Sequence, residues 1–391
     1  MTPELFDRLR RDTPAAEHRI HFNSAGSSLM PAPVFDALNR YLQDERDMGG
    51  YEAEIANAGV LARYYTGLAA LLRVDPSEIA YVENATRAWD MAVYGLKLGE
   101  GDEVILHASE YSSNYMAFLQ IARRTGIRIV LAPSDSTGQI DVAALERLVT
   151  ARTRVVAVTH VPTQGGLVNP AADVGRVARA HGLIYVLDAC QSVGQIDLNV
   201  PEIGCDILSG TGRKFLRGPR GTGFLYVSRR VMPMIEPPFV DMHSAVWTGR
   251  TSYEFLPDAR RFENFESFLG GRAALAVAVG YALEIGLPVI EARVRRLAQS
   301  LRDGLGDCQG VTVQDLGVEK CGIVTFTKAG LTAGQIAVRL AARQINVSVS
   351  SVALIDFAER GLSALVRASV HYFNSEQEVA TFVAAVAQVR A

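Results

Sequence analysis

The sequence predicts an α/β protein: a large domain whose mostly parallel sheet lies between helices, followed by a smaller α+β C-terminal domain. Three observations predict it. From about residue 80 to residue 230, short apolar, β-rich runs alternate with amphipathic segments of helical period. Past about residue 265 the order changes to two long helical runs and then an alternation of strands and helices. The chain of 391 residues is also long for one compact core, so two are expected.

In chain order, the strand candidates of the first part are Glu103–His107, Arg128–Leu131, Arg154–Thr159, Leu183–Leu187, Asp206–Leu208 and Gly223–Val227. Helical patterns over Asp141–Val149 and Ala171–His181 fall between them, as a parallel sheet requires of its crossovers. The last third predicts helices at Gly271–Ile285 and Pro288–Leu305, a strand at Gly322–Thr327 and a helix at Ala333–Gln344. Strands at Asn346–Ser350 and Leu365–Val370 follow, with a closing helix that starts at the capping box Ser375/Glu378. The expected division is a large domain over 22–265 and a small one built from 1–21 and 266–391.

Composition narrows the function. Hydrophobic residues make up 49% and charged residues 21%, which describes a packed globule. The net charge of −3, with dispersed basic residues, argues against a nucleic-acid partner. No apolar run approaches the roughly 20 residues of a membrane span. The start, MTPELFDRLRRDTPAAEHR, lacks the apolar stretch of an export signal, so a cytoplasmic location is expected. Cys190, Cys205, Cys308 and Cys321 form no C-x-x-C pair, and the histidines lack metal spacing, so no metal site is expected.

Ligands of such sheets sit beyond the carboxyl ends of the strands, so polar residues there are the candidates for chemistry. Asn84-Ala85-Thr86 precedes a helical run; it serves as a cap, and its free backbone N–H groups also suit a phosphate. Asp188 ends the apolar run Leu183–Leu187, either as a turn residue or as a functional acid. The stretch SGTGRKFLRGPRGTG at 209–223 admits a phosphate cradle, a basic patch or the seat of one lysine. Its glycines precede a strand instead of opening a helix, and Lys214 is not followed by Ser or Thr, so both nucleotide fingerprints fail on order. What remains is Lys214 on a tight loop beside Arg213 and Thr211, downstream of Asp188. A lysine, an acid partner and a phosphate site in that order are what pyridoxal phosphate chemistry asks for.

The segments HFNSAGSSLMP, ENATRAWDMA, SEYSSNY, THVPTQGGLVNP, VLDACQSVGQ, SGTGRKFLRGPRGTGFLYV, RRFE and VRASVHYFNSEQE together resemble class V, fold-type I enzymes of the aminotransferase and cysteine desulfurase superfamily, almost end to end. The resemblance implies pyridoxal 5'-phosphate as cofactor and a homodimer acting on an amino acid as its small-molecule substrate. It implies that Lys214 carries the cofactor and moves protons at the substrate α-carbon, and that Asp188 keeps the ring nitrogen protonated. Gln191 then faces the ring's phenolic oxygen, Thr163 lies near the ring, and Tyr111 stacks on it. Ala85, Thr86, Thr211 and Arg213 hold the phosphate. Arg367 takes the substrate carboxylate, and Asn23, Tyr51 and the 247–253 loop line the side-chain pocket.

Three departures shape the functional expectation. The stretch Ile345–Ser351 carries serines where sulfur-relay desulfurases carry a cysteine, and a serine hydroxyl cannot replace a thiolate nucleophile. Asn264–Ser267 replaces a Gly-Thr that reaches a neighbouring subunit's phosphate, and Thr163-Gln164 stands where an asparagine is common. The set therefore resembles hercynylcysteine sulfoxide lyase-like and isopenicillin N epimerase-like members most. The expected function is a β-eliminating C–S lyase on an S-substituted cysteine or its sulfoxide, and not a persulfide-relay desulfurase. An aminotransferase, an epimerase or racemase, and a non-catalytic cofactor-binding protein are the alternatives.

Overall fold

A computed structural model describes residues 1–351 and 355–390. The central sheet has seven strands: β1 (Ile79–Val82), β2 (Glu103–His107), β3 (Arg128–Ala132), β4 (Thr153–Thr159), β5 (Ile184–Asp188), β6 (Ile207–Thr211) and β7 (Gly223–Val227). Their spatial order is β1-β7-β6-β5-β4-β2-β3. The run from β6 to β3 is parallel, while β7 is antiparallel to both its neighbours. Because β7 alone is reversed, the carboxyl ends of β1, β2, β4, β5 and β6 lie along one edge of the sheet.

Every residue of β5 and β6 is buried. Such strands read as near-continuous apolar runs because helices cover both faces. Alternate side chains serve two cores. Tyr185, Leu187 and Leu208 join helices Ala58–Leu72 and Leu269–Ile285 on one face. Val186 and Ile207 join helices Ala85–Val93 and Ser112–Thr125 on the other. A third core lies under an antiparallel four-stranded sheet, ordered Val311–Val313, Ile323–Lys328, Ala364–Ser369, Ser348–Ser351.

The helix Leu269–Ile285, expected in the small domain, packs in the core of the large sheet, and helix Leu287–Gly306 passes from that core into the third. Near the N-terminus Ile20–His21 pairs in parallel with Ile345–Asn346, which joins the first segment to the C-terminal part. Residues 352–354 and 391 of the expected small domain lie outside the described residues. No single helix among the described residues is long and apolar enough to cross a membrane.

Two shifts matter for the site. The strand expected at Leu183–Leu187 runs one residue further, and the one expected at Asp206–Leu208 runs to Thr211. Asp188 and Thr211 are therefore strand residues. Pairing of Asp188 with Thr159 on one side and Ser209 on the other fixes their height on the sheet edge.

Candidate active site

A cavity opens at this edge. It collects Asn84, Ala85 and Thr86 at the helix start after β1, Tyr111 after β2, Thr159, Val161 and Thr163 from β4 onward, Asp188, Cys190 and Gln191 from β5, and Thr211, Arg213 and Lys214 from β6. All nine residues that the sequence assigns to the cofactor line this one space.

Local structure explains how each is presented. Helix Ala85–Val93 starts at Asn84, whose side chain accepts from Arg87 N at 2.9 Å. The cap uses that donor and leaves the N–H groups of Ala85 and Thr86 to the cavity, at the electropositive end of the helix. The loop after β6 is locked from behind. Arg217, in left-handed conformation at φ 62°, is 1% exposed and donates to Leu29 O, Tyr372 Oη and Thr13 Oγ1. The glycines of this loop serve close packing: a Cβ on Gly212 would stand 2.3 Å from Thr222 Oγ1, and one on Gly210 would stand 2.2 Å from the Phe224 ring.

The cavity is rich in positive charge. Arg213 donates to Gly26 O, and Arg367 donates to Ser348 Oγ at 3.0 Å and to Thr163 O and Oγ1. Both guanidinium groups are thus held by neutral acceptors. Burial, followed by the proximity of Arg213, lowers the pKa of Arg367 to about 10. Burial also pulls the Lys214 amine below its ordinary value, aided by Arg213 and Arg367 and opposed by Cys190 and Asp188. Asp188 accepts from Cys190 N and from Asn114 Nδ2, both at 2.8 Å. Gln191 donates through Nε2 to Ala25 O and Thr163 Oγ1, and its Oε1 is buried without a partner.

The family model described as "Aminotransferase class-V" matches residues 20–382. The chain belongs to the aminotransferase class-V family. A probable cysteine desulfurase of Xylella fastidiosa is 30% identical over 403 residues, which covers 98% of this chain and 95% of that protein. The apo structure of a cysteine desulfurase from Thermococcus onnurineus superposes with a TM-score of 0.92 at 26% identity, covering 99% and 98% of the two chains. The C-DES protein, solved with glycine covalently linked to its pyridoxal phosphate cofactor, shares the fold at a TM-score of 0.88 and 24% identity, over 97% and 99%.

The fold is the expected fold-type I architecture, and the cofactor of this class-V chain is pyridoxal 5'-phosphate. The cavity suits that group: among the described residues Arg213 and Arg367 have no anionic partner and Gln191 Oε1 has none at all, which marks a place for a polar ligand atom, and the helix end offers spare N–H groups.

The likeness to cysteine desulfurases corrects two expectations. It does not support a special kinship with hercynylcysteine sulfoxide lyase-like or isopenicillin N epimerase-like members, and it overturns the exclusion of persulfide-forming desulfurases. The exclusion rested on the serines of Ile345–Ser351. A cysteine there would supply one sulfur acceptor, and its absence leaves the residues that line the cavity unchanged.

The substrate residues divide. Arg367 reaches the cavity wall through Thr163. Asn23 bridges to Ser369, next to Ala25 and Gly26, which accept from Gln191 and Arg213. Tyr51 is not brought to this cavity within one chain. It is 70% exposed on helix Gly50–Ala56 and lines a second cavity with His243, Asn264, Phe265 and Ser267. Sequence reasoning missed Cys190, Glu110 and Asn114. The spacing of Glu110 and Asn114, four apart across a helix start, was the available signal.

Proposed function

We propose that this chain is a pyridoxal phosphate-dependent cysteine desulfurase, which moves the sulfur of cysteine to an acceptor thiol and releases alanine. The observation that carries this reading is the convergence of Lys214, Asp188, Gln191 and Arg213 on one cavity, in a chain that resembles cysteine desulfurases over nearly its whole length. When bound, the cofactor supplies an electron-withdrawing ring conjugated to the substrate's amino nitrogen.

The chain's own residues do the rest. Lys214 holds the cofactor and, as a buried amine of lowered pKa, takes and returns the proton at the substrate α-carbon. Asp188, fixed by two hydrogen bonds, keeps a proton on the ring nitrogen. Gln191 and Thr163, which line the cavity, would hold the phenolic side of the cofactor, and Tyr111 would pack against its ring. Ala85, Thr86, Thr211 and Arg213 bind the phosphate, and Arg367 binds the substrate carboxylate with Asn23 nearby. The acceptor thiolate attacks the substrate Sγ, the Cβ–Sγ bond breaks, and the three-carbon fragment gains a proton to leave as alanine. One thiol and one cysteine thus give one persulfide and one alanine.

Cys190 lines the cavity, but burial raises its thiol well above the ordinary value, so a thiol added in solution is the better acceptor. The test incubates the loaded protein with cysteine and a small thiol and measures alanine and persulfide sulfur. Equimolar alanine and persulfide support the reading; absence of alanine overturns it. A second copy of the chain is proposed to cover the cavity of Tyr51 and Phe265, which are 70% and 50% exposed.

A further inference from the structure

Behind Asp188 lies a second carboxyl group for which the reaction above has no use. Glu110 is 2% exposed, and its Oε1 accepts from Thr159 Oγ1, from Tyr111 N at 2.9 Å and from Asn114 Nδ2 at 2.9 Å. Its Oε2 is buried and has no partner among the described residues. Asn114, 3% exposed on the first turn of helix Ser112–Thr125, spends its two amide hydrogens on two acids: one on Glu110 Oε1 and one on Asp188 Oδ2 at 2.8 Å. A single carboxamide therefore bridges the acid that faces the cofactor and an acid sealed in the interior.

We propose that Glu110, acting through Asn114, is the positioning residue that fixes the orientation and charge of Asp188, and through its bond to the Tyr111 backbone also sets the aromatic wall of the cofactor cavity. The chemistry is that of two carboxyl groups sharing one donor. An amide bridge with both hydrogens engaged cannot rotate without leaving a buried acceptor unpaired, which makes its geometry stiff. Two neighbouring acids also resist ionising together, so a proton held by Glu110 leaves the negative charge on Asp188, where the ring nitrogen needs it. Burial, against the hydrogen bond from Thr159 and with the nearby Asp188, raises Glu110 to about 7, in accord with that division. The other titratable group facing Glu110 is the buried Tyr185 phenol, and Thr159 and Asn114 offer only neutral contacts.

This inference rests on the cofactor and not on the desulfurase reading, and its readouts are made without cysteine. The dissociation constant of pyridoxal phosphate and the pH titration of its near-visible absorbance are measured on wild type, Asn114→Ala, Glu110→Ala, the double variant and the near-isosteric Glu110→Gln. Asn114→Ala and Glu110→Ala each weaken cofactor binding by about tenfold, the size of one hydrogen bond to a charged group, and the double variant loses little more. Glu110→Gln restores affinity to within about threefold but removes an inflection near neutral pH from the absorbance titration. Wild-type affinity and titration in both Asn114→Ala and Glu110→Gln overturn the proposal, as do losses that add fully in the double variant. If the alanine variants fail to fold, Glu110→Gln decides: an unchanged titration overturns the proposal, and a lost inflection supports it.

Discussion

Replacing Arg367 by Gln tests how the substrate is held. The guanidinium is already committed on one side: Nε bonds Ser348 Oγ, and Nη1 bonds Thr163 O and Oγ1. Among the described residues nothing bonds Nη2, so one or two charge-assisted bonds to a carboxylate are available. Each contributes about 1.5–3 kcal/mol, and a net of about 3 kcal/mol corresponds to roughly two orders of magnitude in kcat/KM. The assay compares cysteine with cysteamine, which lacks the carboxylate, on wild type and Arg367→Gln, with cofactor absorbance as the control for an intact cavity. Wild type favours cysteine by about a hundredfold. The variant loses that preference mainly by losing activity on cysteine, while activity on cysteamine changes little. A variant that still prefers cysteine by the wild-type margin refutes the assignment of Arg367 to the carboxylate.

Acid should destabilise the fold. Burial lowers His21, His107 and His160 to about 4 each, so they are neutral in the fold, while the unfolded chain binds their protons below about 6.5. Their contribution is complete above pH 6.5 and is lost as pH falls toward 4, at about 3 kcal/mol per histidine. Glu110, raised to about 7, works oppositely: its contribution is complete below pH 4.5 and fades as pH rises through 7. Three groups outweigh one, so the urea midpoint should fall steeply between pH 6.5 and 4.5; a flat profile contradicts the burial argument. For assembly, light scattering should give the mass of two chains, and Tyr51→Glu with Phe265→Glu should shift it toward one. A wild-type monomer at micromolar concentration would remove the proposed dimer.

Much of the site was legible because its residues terminate strands. An apolar run closing on Asp188 and a basic, glycine-rich loop after the next strand are local patterns, and the sheet brings such ends together by topology. Strand β1 was missed, since four residues between a helix and a cap give too short a period to read. Glu110 and Asn114 were missed because polar residues at a helix start look like caps; only the pairing of Thr159 with Asp188 brings them to the site. Tyr51 shows the converse: its neighbours in sequence say nothing about how far helix Gly50–Ala56 stands from the cavity. The serine segment misled because the acceptor of the sulfur was taken as the mark of the reaction: Ser348 contacts Arg367 without being among the residues that line the cavity.

The most direct measurement is to load the protein with pyridoxal phosphate, reduce it with borohydride and map the modified peptide by mass spectrometry. The cofactor mass should appear on Lys214 alone, at about one per chain, and vanish in Lys214→Ala. Modification spread over other lysines, or none at Lys214, would contradict the site on which the functional reading depends.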